Sequence, residues 1–101
     1  MLIYNVTIQL QHSIHEPWVK WMQEIHMPEI MNTGCFEKCQ LVRLLELDET
    51  EGVTYAAQYY ATDYEQYNNY IQNFATAFRK VSFDLWGNQF IAFRSLMRVV
   101  N

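Results

Sequence analysis

Few stretches of the chain hold residue types that could do chemistry, and spacing removes most of them. His15 and Glu16 begin as a zinc-protease HExxH would, but the fifth position is Val19 and Pro17 interrupts the helix that motif needs. His12 and His15 straddle a strand end and a turn, with no third ligand in reach. His15 and His26 share a helical stripe with Val19 and Met22. At 1.5 Å per residue they stand about 16 Å apart, too far to share a metal. His26 remains as the candidate for acid or base work. It precedes Pro28, which cannot donate to the Glu24 carbonyl, so a kink or break near His26 and Met27 should open ligand-sized space there. A partly exposed His bonded to a neighbour is the plainer alternative.

Trp18 and Trp21 could floor an aromatic pocket, or simply pack against a sheet. Arg94 could hold a carboxylate together with Asn5 and Thr7 if the first and last strands pair; an interface ion pair with Glu46 explains it as well. Cys35 and Cys39 are four apart, about 13 Å on a strand and beyond disulfide reach, which predicts free thiols in a reducing compartment. Without a CxxC pair or a third ligand, nothing calls for a metal, and no motif calls for a cofactor.

The elements that must position these residues are legible in the pattern. Leu2, Tyr4, Val6, Ile8 and Leu10 alternate with Ile3, Asn5, Thr7 and Gln9, a strand with one strongly apolar side. Ser13 and Glu16 form a capping box, with Pro17 moving the helix start a residue or two later. Trp18, Trp21, Met22 and Ile25 share one arc of that helix, and Gly34 supplies a left-handed stop. Residues 35–47 carry two interleaved apolar sets and predict a strand covered on both sides. A turn ending at Gly52 leads into a strand from Val53 to Ala61. Thr62 and Glu65 repeat the capping box. Tyr67, Ile71, Phe74, Phe78, Val81 and Leu85 then predict one long amphipathic helix to Gly87, and Phe90 to Val100 the last strand.

The order β, α, β, β, α, β over one domain, residues 1–101, predicts an α+β fold of ferredoxin-like type: a four-stranded antiparallel sheet with two helices on one face. The other face would be bare. Because the last strand is apolar on both sides, a second copy packed sheet to sheet is the economical cover, giving a homodimer.

At 101 residues, 50% hydrophobic and 16% aromatic, the chain fits one modest core. A net charge of -4 disfavours nucleic acid and anionic membrane surfaces. The same strand order occurs in RNA-recognition domains, but Glu51-Gly52-Val53-Thr54-Tyr55 lacks their basic residue and first aromatic. No apolar run is long enough to span a bilayer and the N-terminus lacks a signal-peptide core, so a cytoplasmic protein is expected.

Three segments, IYNVT at Ile3–Thr7, WVKWM at Trp18–Met22 with His26 downstream, and FIAFRSL at Phe90–Leu96, resemble a domain-of-unknown-function family of short bacterial proteins known chiefly from Bacteroidetes. The resemblance runs along the whole chain. It implies a ferredoxin-like fold of the dimeric α/β-barrel type and brings no activity, ligand or catalytic residue with it.

The sequence therefore points to a homodimeric small-ligand-binding or interaction module without catalysis, self-associating through the open sheet face. The alternative is a cofactor-independent, monooxygenase-like enzyme of the dimeric α/β-barrel type, with His26 carrying the proton and Trp18 and Trp21 shaping the site. That alternative rests on fold analogy and requires a closed cavity between helix and sheet that reaches His26.

Overall fold

A computed structural model describes all 101 residues. Four strands form one antiparallel sheet in the order β2-β3-β1-β4: β1 (Leu2–Leu10), β2 (Lys38–Arg43), β3 (Val53–Ala61) and β4 (Phe90–Arg98). The helices α1 (His15–Trp21), α2 (Met27–Met31), α3 (Tyr64–Asn73) and α4 (Ala75–Trp86) lie on one side of it. This is the ferredoxin-like α+β arrangement that the element order predicts. The alternation in β1 decides the faces. Tyr4, Ile8 and Leu10 are buried under the helices beside Tyr59 and Val53, while Ile3, Asn5, Thr7 and Gln9 look the other way.

The first helical stretch departs from expectation in an instructive way. The chain does not break at Pro28. Instead a π-helical turn, Met22–His26, joins α1 to α2, and the Met27 amide donates to the Met22 carbonyl five residues back. The wider turn gives the proline ring room where it would clash with the carbonyl four residues earlier. It also inserts one residue into the inward stripe. Trp18 and Met22 are buried, but Ile25, the next inward position of a regular α-helix, is 48% exposed. His26 turns inward in its place, followed by buried Met27 and Ile30.

Several local details also differ. Neither Ser13 nor Thr62 caps a helix. A 3-10 turn (His12–Ile14) precedes α1, whose N-terminus has no side-chain cap, and the Asp63 carboxylate accepts from the Gln66 amide at the start of α3. The second helical run is interrupted at Phe74, whose φ and ψ of -129° and -33° are not helical. The inward stripe then runs on through Ala75, Phe78 and Ser82, leaving Val81 and Leu85 exposed, contrary to the single continuous stripe of the sequence pattern. β2 is an edge strand covered on one side only. Cys35 and Phe36 are buried before it begins, and Leu45 is 74% exposed in the loop after it.

Candidate functional site

Between the helices and the sheet lies a cavity of about 50 Å³ with 16 lining residues, 12 of them hydrophobic. Its floor is sheet, with Val6, Ile8, Ala57 and Ala92; its roof is helix, with Trp18, Met22 and Phe78. The polar groups that reach it are Tyr4, His26, Arg79, Ser82 and Arg94, together with the hydroxyls of Tyr59 and Tyr70. Arg79 and Arg94 are exposed and mark its mouth.

His26 ends the π turn. Its ring stacks on Trp21 at 4.2 Å and meets Phe78 edge-on at 5.7 Å, and neither ring nitrogen has a hydrogen-bond partner in the chain. Burial among these rings penalises the charged form and lowers its pKa to about 4, so the imidazole is neutral at physiological pH. Trp21 is held in turn by Trp86, edge to face at 5.7 Å; the Trp86 Nε1 is buried without a partner.

Tyr4 is the hub of the sheet side. Its ring lies within about 6 Å of Phe36, Tyr59, Tyr67 and Tyr70, and its hydroxyl accepts from Arg79 Nη2 and from Arg94 Nε, each at 3.2 Å. Burial pushes the Tyr59 and Tyr70 phenols above their ordinary range, which keeps them protonated.

The candidates from the sequence divide cleanly. His26, Trp18 and Arg94 line this one cavity. Trp21 borders it, acting through its stack on His26. Asn5 does not take part. In the β1–β4 register Arg94 pairs with Val6 while Asn5 pairs with Ser95, so Arg94 and Asn5 point to opposite faces and cannot share a ligand as the sequence suggested. Nor does Arg94 meet Glu46 within the chain. Tyr4, Arg79 and Ser82 escaped sequence reasoning. Arg79 reads as solvent face on a helix, and it is exposed; only its guanidinium reaches back to the Tyr4 hydroxyl.

Asn5 belongs to a different construction. Gln40, Gln58, Asn5 and Ser95 occupy one row across all four strands of the open face. Gln40 donates to Gln58 at 2.8 Å and Gln58 to Asn5 at 3.2 Å, and Asn5 donates to Thr7 at 3.0 Å. The rows beside it are mixed, with Phe93, Thr7, Ala56 and Val42 on one side and Met97, Ile3, Tyr60 and Lys38 on the other.

His12 and His15 are engaged elsewhere, with the Glu49 carbonyl and the Tyr55 hydroxyl, and no group of three or more His, Cys, Asp or Glu could hold a metal ion. Both cysteines are free. A wider depression of about 420 Å³, between the β1–β4 end and Glu51, is lined largely by amides and has no buried polar side chain. No helix is long and apolar enough to cross a membrane.

The sequence profile of the family described as "Domain of unknown function (DUF4286)" matches residues 1–100. The chain belongs to the DUF4286 family. No curated protein matches this DUF4286 domain in sequence. Among solved structures it is similar to a dimeric ferredoxin-like protein from an uncultured marine organism, with TM-score 0.74, 16% identity, and 99% of this chain and 95% of the other covered. A second dimeric ferredoxin-like protein, also from an uncultured marine organism, gives TM-score 0.74 at 10% identity, covering 100% and 96%. An EthD family protein from Bacillus halodurans C-125 gives 0.67 at 13%, covering 94% and 97%. At these identities the likeness establishes the ferredoxin-like fold of the DUF4286 domain.

Proposed function

We propose that this DUF4286 domain is a homodimeric small-molecule-binding module. The ligand sits in the cavity between helices and sheet, and a second copy covers the open sheet face. The observation that carries the reading is the cavity: apolar walls joined by a few polar groups whose hydrogen-bonding capacity the chain leaves unused. Self-association is supported by Ile91 and Phe93, 68% and 62% exposed on the open face, and by the dimeric state of two structures that share the fold. Two free thiols suit a reducing compartment, and we assign the domain to the cytoplasm.

Binding is favoured over catalysis by His26. A general base works best with a pKa near the operating pH, and burial has moved this one to about 4. The enzyme alternative calls for a closed cavity reaching His26, whereas this one opens at Arg79 and Arg94, and the proton carrier it needs is a weak one.

Native mass spectrometry at micromolar protein reads assembly and cargo together. The expected result is a dimer of 12.1 kDa chains retaining small-molecule mass. Phe93→Asp should release monomers, and Ala92→Leu, which fills the cavity floor, should strip the adduct. A wild-type monomer without retained mass contradicts the proposal.

A further inference from the structure

The mouth of the cavity offers donors and almost nothing else. Arg79 and Arg94 each donate one hydrogen bond to the Tyr4 oxygen. Those two bonds occupy both lone pairs of the phenol and leave its single hydrogen free to donate outward. Each guanidinium keeps four of its five N–H donors unspent on Tyr4. Neither is neutralised: the chain's salt bridges are Arg43–Glu49 and Lys80–Asp84, both elsewhere. Two cations converging on one neutral oxygen repel each other, and the ligand that removes this cost is an anion with acceptor oxygens.

Behind the mouth the chemistry reverses. Most of the other lining residues are apolar, Val6, Ile8, Phe90 and Ala92 among them, and the whole cavity holds about 50 Å³. A 150 Å³ cavity accommodates benzene, whereas a single water needs about 10–15 Å³ of such space. An aromatic ring is therefore too large without repacking, and a short alkyl tail fits. A second carboxylate on that tail would find Ser82 and a neutral His26 but no further cation, which disfavours dicarboxylates.

We infer that the cavity binds a short-chain aliphatic monocarboxylate of about two to four carbons, its carboxylate clamped by Arg79 and Arg94 under the Tyr4 hydroxyl and its tail against the sheet. The inference rests on the cavity's being a ligand site, as proposed above. It also retains the sequence-level expectation of a carboxylate at Arg94 while replacing Asn5 and Thr7 with Arg79 and Tyr4.

Isothermal titration of the full chain with butyrate, butyramide and butylamine separates the possibilities. Butyrate should bind at least tenfold tighter than its neutral amide, butylamine should not bind, and butyrate affinity should fall with added salt. Arg79→Gln and Arg94→Gln should each weaken butyrate about tenfold, a charge-assisted bond's worth, with butyramide unchanged and Arg94→Lys recovering part of the loss. Both arginines are exposed, so the fold should tolerate these changes, and unchanged butyramide binding controls for it. Equal binding of acid and amide, or an Arg79→Gln/Arg94→Gln double variant that binds butyrate normally, overturns the anion assignment and leaves the cavity reading standing. Binding by none of the three probes overturns both.

Discussion

The two faces of the sheet handle polar groups in opposite ways. On the open face Gln40, Gln58, Asn5 and Thr7 hydrogen-bond one another in a chain across three strands. Such a row can be buried against another protein without stranding donors. On the helix-covered face Arg79 and Arg94 share a single phenolic acceptor, and His26 has no partner at all. Those groups await something from outside. Internal satisfaction suits a protein interface and unspent donors suit a ligand, although both faces belong to the same four strands.

The largest expected effect lies on the covered face. Trp18, 2% exposed under the helices, should cost about 3–5 kcal/mol when changed to Ala, read by urea unfolding. Phe93→Ala on the open face should leave the stability of the isolated monomer within about 0.5 kcal/mol; a loss as large as that at Trp18 would erase the distinction between the faces.

Next is pH. Because folding holds His26 at about 4 against an ordinary 6.5, the unfolded chain takes up this proton first as pH falls. The neutral-His fold is fully stable above pH 6.5 and loses stability progressively down to about pH 4, by on the order of 3 kcal/mol. His26→Phe, which keeps a ring to stack on Trp21, should flatten that limb of the pH–stability curve. An unchanged curve would place the His26 imidazole in water.

A smaller effect is expected at the interface. Phe93→Asp should weaken dimerisation by about 2 kcal/mol or more by sedimentation equilibrium, as central apolar contacts do, and leave circular dichroism unchanged. Smallest is Asn5→Ala, which removes the middle of the polar row. It should cost about 1 kcal/mol; a gain in stability would mean the row is not satisfied as described.

Much of this was legible in the residues. The clean alternation of β1 and the left-handed stop at Gly34, with φ of 77°, read directly because each is set by local sterics or a period of two. The four-stranded antiparallel sheet with its helices on one face followed from the element order. What did not read was rotation and register. The i, i+4 spacing already put His26 on the stripe of Met22, but the π turn moves Ile25 out of it, and the composition of Met22–His26 gives no sign of that turn. In β4 the more apolar set, Ile91, Phe93 and Met97, faces outward, while the set containing Arg94 faces the helices. Hydrophobicity alone argues for the reverse when the cover for the outer face is a second chain.

The most direct test of the division between faces is a ¹⁵N-HSQC titration of the wild-type protein with butyrate. Shift changes are predicted at and around Tyr4, His26, Arg79, Ser82 and Arg94, with Asn5, Thr7, Gln40 and Gln58 unmoved. Changes centred on the Gln40–Gln58–Asn5–Ser95 row, or no changes at saturating ligand, would contradict the account.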